Sequence, residues 1–204
     1  MNILLGVTGS VAAIKIPEVY KALRDLGTVK VVVTECAHKI MSTQNKHFQN
    51  SYEPIRSLCM IYDDEKEWNW RSIGDPVLHI DLKDWADVLV IAPLTANTLA
   101  KMANGICDNL LTCIYRAYPM TPEFKKPLVL APAMNTDMWY HPVTEKHLEE
   151  LRQRHTEWYG RPLNTVSYIK IVPPIEKKLA CGTTGIGAMA EPADIAKAVE
   201  NVTT

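Results

Sequence analysis

The sequence predicts an α/β fold in three layers: a doubly wound parallel sheet of six strands in the order 3-2-1-4-5-6, helices on both faces. Three observations carry it. Short β-rich runs alternate with longer amphipathic stretches, the pattern of a parallel sheet covered on both sides. Runs such as Lys126-Pro127-Leu128-Val129-Leu130 are short and apolar, as a buried strand is. Six strand candidates of this kind match the doubly wound order.

In chain order the strands are expected over residues 2–7, 29–34, 58–62, 87–92, 127–131 and 168–172. Between them lie helical patterns, among them Val19-x-x-Ala22-Leu23-x-x-Leu26 and Leu99-x-x-Met102-Ala103. Pro17 either kinks the first helix or marks its first turn. Gly105 is placed to end the helix 99–104. The stretches 119–126 and 153–165 are polar with prolines and read as surface loops or insertions in one domain spanning 1–204.

In an open parallel sheet ligands bind at the carboxyl ends of the strands, where strand order reverses. The loops meeting there are Thr8-Gly9-Ser10, after the first strand, and Pro93-Leu94-Thr95-Ala96-Asn97-Thr98, after the fourth. Gly9 lets backbone approach a ligand closely, and small residues open a helix whose N–H groups can face a phosphate. The spacing is not Gly-x-Gly-x-x-Gly, so a dinucleotide is not indicated. A tight strand-to-helix connection looks the same. Thr95, Asn97 and Thr98 put two hydroxyls and an amide at a helix start, and capping explains only one of them. That favours an anion cradle. Thr34 and Cys36 end the second strand, where a plain helix start is the simpler local reading. Asp108 or Asn109 is expected as a cap.

The fifth strand leads into Ala131-Pro132-Ala133-Met134-Asn135-Thr136-Asp137-Met138-Trp139. Asn135 either caps the next helix or donates to a carboxylate without adding a charge. His79 lies among aliphatics in Asp75-Pro76-Val77-Leu78-His79-Ile80, a setting more often structural than catalytic. Ala180-Cys181-Gly182-Thr183-Thr184-Gly185-Ile186-Gly187 reads as a mobile small-residue loop with an exposable thiol, near Lys177 and Lys178.

Composition narrows the function. Net charge is -1, from 22 basic and 23 acidic residues, so there is no basic footprint for nucleic acid or an anionic membrane. No apolar run is long enough to span a bilayer, and no signal peptide is read at the start. The five cysteines, Cys36, Cys59, Cys107, Cys113 and Cys181, are scattered. They form no Cys-x-x-Cys pair, so neither a disulfide framework nor a metal site is expected. Free thiols fit a reducing cytoplasm.

Taken as a set, these blocks resemble the homo-oligomeric flavin-containing cysteine decarboxylases. The resemblance rests on Gly9-Ser10-Val11-Ala12-Ala13, Asp75 to Ile80 with Trp85-Ala86-Asp87, Ala92 to Thr98 and Cys107-Asp108-Asn109-Leu110-Leu111-Thr112. It continues through Pro132-Ala133-Met134-Asn135-x-x-Met138-Trp139 and Ala180-Cys181-Gly182, covering most of the chain in order. It implies a Rossmann-like (flavodoxin-like) fold and an FMN cofactor held by Gly9, Ser10, Val11, Thr34, Cys36, Thr95, Ala96, Asn97, Thr98 and Met134. It also implies a substrate, phosphopantothenoylcysteine of the coenzyme A pathway, bound by Asn135, Met138, Lys178, Ala180 and Met189. His79 would be the base, Asn135 would bind the substrate carboxylate and Cys181 would be the acid of the last step. The assembly would be a homotrimer, or built of trimers, with sites at subunit contacts. Thr183 departs from the aspartate that often follows Ala-Cys-Gly in the family.

The implied chemistry suits these residue types. A cysteine derivative has no electron sink for the carbanion left by departing CO2. Oxidation to a thioaldehyde creates one, CO2 loss gives an enethiol, and re-reduction completes the cycle. A lysine or arginine in place of Asn135 would stabilise the carboxylate that must be lost. A rival class is the inhibitory subunit of a protein phosphatase on the same fold. It predicts loss of the histidine or cysteine, or long acidic tails. A flavin prenyltransferase is disfavoured by the Pro-Ala-Met-Asn and Ala-Cys-Gly pair.

Overall fold

A computed structural model of the chain describes residues 1–42, 53, 55–121, 124–158, 161–162, 168–179 and 182–203. Its centre is one parallel sheet of β1 (Asn2–Val7), β2 (Thr28–Val33), β3 (Ile61–Tyr62), β4 (Val88–Leu94), β5 (Leu128–Pro132) and β6 (Ile169–Ile171). The order across it is β6-β5-β4-β1-β2-β3, the predicted 3-2-1-4-5-6.

Strand periodicity sorts the core onto two faces. Val88 and Val90 of β4 share one core cluster with Ile3 and Leu5 of β1. That face is covered by α1 (Ile16–Arg24), α2 (Glu35–Ser42) and α9 (Pro192–Thr203). Leu89 and Ile91 point the other way and join Leu4 of β1. That second face is covered by α4 (Leu78–Trp85), α5 (Ala96–Asn104), α6 (Leu110–Ala117) and α8 (Pro142–Thr156). Every residue of β4 is buried, as a strand covered on both faces must be.

Helix ends follow local chemistry. A 3-10 turn, Val11–Lys15, precedes α1, and Pro17 sits in the first turn of α1, where its missing N–H costs nothing. Gly105 ends α5 at φ +72°, a left-handed cap. Asn109 caps α6 in a capping box with Thr112, while Asp108 pairs with Lys101 at 2.7 Å.

Three expectations need correction. The third strand is only Ile61–Tyr62, because residues 55–58 are helical. The N–H of Cys59 donates to the carbonyl of Ile55 at 2.9 Å, a helical i to i−4 bond that keeps Leu58 out of the sheet. The second strand stops at Val33; Thr34 keeps one bond to β1, its N–H donating to the Val7 carbonyl at 3.1 Å, while its hydroxyl accepts the N–H of Ala37 at 3.3 Å. The glycine-rich stretch near the end is a β-hairpin, β7 (Ile175–Lys178) with β8 (Thr184–Ala188). The polar stretches contain two-residue ribbons, Met120–Thr121 with Phe124–Lys125 and Glu157–Trp158 with Arg161–Pro162. Lys126 of the first stretch also reaches the carbonyls of Lys83, Asp84 and Ala86 at 2.6–2.9 Å, closing the end of α4.

Candidate active site

Thr8 ties the switch point together. Its buried hydroxyl donates to the carbonyl of Pro93 at 2.7 Å and accepts the N–H of Thr95 at 2.9 Å. The ends of β1 and β4 are thereby locked side by side, and a cleft of about 1030 Å³ opens above them. That is at the upper end of the range for small-molecule and cofactor sites, roughly 300–1,000 Å³.

Gly9, Ser10 and Val11 form one wall. The Ser10 hydroxyl caps the 3-10 turn, accepting from Ala12 N–H at 3.3 Å. A Cβ on Gly9 would lie 2.5 Å from Cys36 Cβ, so this glycine permits close approach of α2. Thr34 and Cys36 join the same wall, Thr34 buried and Cys36 exposed.

Thr95, Ala96, Asn97 and Thr98 line the cleft at the N-terminus of α5. One side chain caps the helix, as expected, and Thr98 braces it. Thr95 Oγ1 accepts the N–H of Thr98 at 3.3 Å and donates to Thr98 Oγ1 at 3.2 Å. Asn97 remains exposed at the helix start.

The opposite wall is the loop after β5. Met134, Asn135 and Met138 all face the cleft. Asn135 caps the short helix α7 (Thr136–Trp139), its Oδ1 accepting from Asp137 N–H at 2.9 Å. Capping and cleft lining coexist, because an amide has a second, donating end. The hairpin is seated on this loop. Met134 N–H donates to the carbonyl of Gly187 at 3.0 Å, and a Cβ on Gly187 would lie 2.1 Å from Met134 O. Lys178 and Met189 complete the predicted lining.

His79 does not line the cleft. It sits in the first turn of α4 with its side chain about a quarter exposed, paired through Nδ1 with Glu67 Oε1 at 2.5 Å. Ala180 and Cys181 lie outside the described residues, in the connection between β7 and β8.

Sequence reasoning named Val11 and Met138 but missed Ile14, Lys15 and Asp64 of the cleft, and Glu191 beside it. Val11, Ile14 and Met138 are apolar yet 41–48% exposed here, which favours a flat apolar ligand. Lys15 sits at the rim, its Nζ 2.7 Å from Glu191 Oε2, and Lys177 binds the other oxygen of Glu191. The bond from Lys15, then that from Lys177, holds the Glu191 carboxyl down to about 2. Asp64 also lines the cleft and accepts the N–H of Leu110 at 2.6 Å. Burial pushes its carboxyl up, against the pull of that N–H. Lys15, Asp64 and Glu191 carried no motif; only folding brings Lys15 and Asp64 to the cleft and Glu191 to Lys15. Among the described residues no cluster of His, Cys, Asp or Glu could hold a metal ion, and no helix is long and apolar enough to cross a membrane.

The residues present fit a flavin mononucleotide. Hydroxyls and N–H groups at the start of α5 suit a phosphate, and Val11, Ile14, Met134 and Met138 offer an apolar seat. The fold and cleft define a nucleotide-type site on a doubly wound sheet. The flavoprotein family matches residues 1–204, and the chain belongs to it. A phosphopantothenoylcysteine decarboxylase of Arabidopsis thaliana is 47% identical over 192 residues, covering 94% of this chain and 79% of that protein. Two solved structures also match. One, a PPC decarboxylase mutant complexed with pantothenoylaminoethenethiol, is 44% identical with TM-score 0.79, covering 98% of this chain and 96% of the other. The second, the FMN binding protein AtHal3, is 46% identical with TM-score 0.78, covering 98% and 95%.

Proposed function

We propose that this chain is an enzyme that decarboxylates 4′-phospho-N-pantothenoylcysteine to 4′-phosphopantetheine in coenzyme A biosynthesis, with FMN, acting in the cytoplasm as one flavoprotein domain. The observation that carries it is the cleft, where the hydroxyl-lined start of α5 faces the Asn135 loop across one cavity. The similarity to named decarboxylases and to an FMN binding protein supports the same reading.

When bound, FMN supplies the reversible two-electron oxidation that gives the cysteine moiety its electron sink. The start of α5, with Asn97 and the Thr95 and Thr98 hydroxyls, would hold the phosphate. Gly9, Ser10, Val11, Ala96 and Met134, with Thr34 and Cys36, line the cleft and would hold the rest of the FMN. Asn135 turns its Oδ1 to Asp137 and presents its amide nitrogen to the substrate carboxylate. Met138, Lys178, Ala180 and Met189 bind the rest of the substrate. His79 takes the thiol proton as the thioaldehyde forms, CO2 loss gives the enethiol, and Cys181 returns a proton at the end.

His79 lies outside the cleft of its own chain, while Trp68, Trp70, Ile73 and Val77 just before it are 41–97% exposed. A homotrimer that buries this shoulder against the next subunit's cleft supplies the missing base. The test is release of CO2 from phosphopantothenoylcysteine by the purified yellow protein, with a parallel size measurement. Flavin-loaded protein that releases none sinks the proposal.

A further inference from the structure

The His79 backbone and ring are both held by one carboxylate. Glu67 Oε2 accepts the backbone N–H of His79 at 3.0 Å, and Glu67 Oε1 lies 2.5 Å from His79 Nδ1. The Glu67 side chain is only 10% exposed, against 25% for His79. Capping alone does not explain this arrangement. The N-cap of α4 is Val77, which has no side-chain acceptor, so Glu67 Oε2 fills that role for the helix. The second oxygen, at Nδ1, is surplus to capping.

A carboxylate accepts hydrogen bonds and does not donate them. The ring nitrogen facing it is therefore the protonated one, and the lone pair falls on Nε2. The helix carrying Glu67, α3 (Asp64–Glu67), is itself pinned. Asp63 caps it through the N–H of Lys66 at 3.1 Å, and Asp64 grips the N–H of Leu110 at 2.6 Å on the cleft wall. Asp64 and Glu67, three apart, fall on one side of the turn. One short helix thus links the cleft wall to the histidine.

We propose that Glu67 is the positioning residue for His79: it fixes the ring's orientation and its Nδ1–H tautomer, so that Nε2 is the atom that takes the substrate's thiol proton. This rests on the reading of His79 as the base. In that step the proton passes from sulfur to Nε2, the Nδ1 proton stays in place, and the Glu67 carboxylate faces the resulting imidazolium.

The test uses four FMN-loaded proteins: wild type, Glu67→Gln, His79→Asn and the double variant. Glutamine keeps the size and the acceptor for the His79 N–H. Its amide, however, donates to Nδ1 and drives the ring proton to Nε2. Anaerobic mixing with phosphopantothenoylcysteine should show flavin bleaching slowed roughly 10²-fold or more in Glu67→Gln, within the span of acid–base effects. Flavin content and the substrate concentration for half-saturation should stay as in wild type. The double variant should be no slower than His79→Asn alone, since a positioning residue has nothing to position once the ring is gone. Nitrogen-15 shifts of the His79 ring should report Nδ1–H in wild type and Nε2–H in Glu67→Gln. The proposal is overturned if wild type carries its proton on Nε2, or if the two substitutions multiply. Bleaching of His79→Asn at the wild-type rate would remove the base itself; the ring shifts would still decide whether Glu67 sets the tautomer.

Discussion

The cradle at the start of α5 and the shoulder bearing His79 are built in opposite ways. At the cradle every bond is short in sequence or set by the sheet. Thr95 caps its own helix with its hydroxyl donating to that of Thr98, and Thr8 joins two adjacent strands. At the shoulder His79 is held by a residue twelve positions away, on a separate short helix that also anchors to the cleft wall. The bonds that shape the cradle lie within one chain. The shoulder presents a fixed histidine beside exposed tryptophans and away from its own cleft. In the proposed reaction, cofactor holding would then follow from the fold of one chain, while proton transfer would depend on assembly.

The widest separation between the two regions comes from His79→Asn. That variant should keep its FMN, because the cradle is untouched, yet lose flavin reduction by substrate, roughly 10²–10⁴-fold for a lost base. Unchanged turnover would return His79 to a structural role. Mixing it with Asn135→Ala by co-refolding sharpens the point. Hybrid oligomers should regain partial activity if His79 and Asn135 of one site come from different chains. No recovery, with hybrids demonstrated, would place both in one chain.

Asn97→Glu attacks the cradle instead. A carboxylate at the exposed start of α5 opposes a phosphate, so the protein should purify colourless while its melting curve stays near that of flavin-free wild type. A full FMN complement would move the phosphate elsewhere.

Thr95→Ala should act more gently. It removes the cap of α5, a loss of about 1 kcal/mol, which lowers Tm by roughly 2–4 °C for a chain of this size. His79→Asn should show no comparable drop.

The smallest effect is at the rim. Glu191 has its carboxyl lowered from 4.5 to about 2 by Lys15 and Lys177. A depressed carboxyl stabilises the fold above its ordinary value and loses that contribution as pH falls through the folded one. The Tm gap between wild type and Glu191→Gln should therefore exist at neutral pH and close between pH 4.5 and about 2. Solvent exposure keeps the gap smaller than the one from Thr95. A gap constant across that range would mean the lysine pairs do not matter.

How much was legible is clear from particular residues. The six strands and their order follow from apolar runs alternating with helical stretches, because a strand buried on both faces has no other composition open to it. Asn109, Thr95 and Gly105 could be read as helix ends because a cap satisfies its own neighbours, within about four residues. The loops at the switch point could be located because topology alone brings them together.

The rest was decided by the tertiary structure. Residues 58–62 look like a strand, but a helical turn over 55–58, closed by the Cys59 N–H on the Ile55 carbonyl, takes the first part. The glycines at 185 and 187 looked like flexibility. They are instead close-contact points where β8 meets Thr136 and Met134. Lys15, Asp64 and Glu191 join the cleft or its rim through contacts that no periodicity encodes. His79 was visible as an unusual residue, but not its distance from its own cleft nor its clamp by Glu67. The sequence by itself determined the sheet, the caps and the loops that form the cleft, since each follows from hydrophobic period or nearest-neighbour hydrogen bonding. Which charged groups face one another, and which way the histidine looks, was left to the packing of α3, α4 and α6, because such pairings depend on distances set only once the helices are docked.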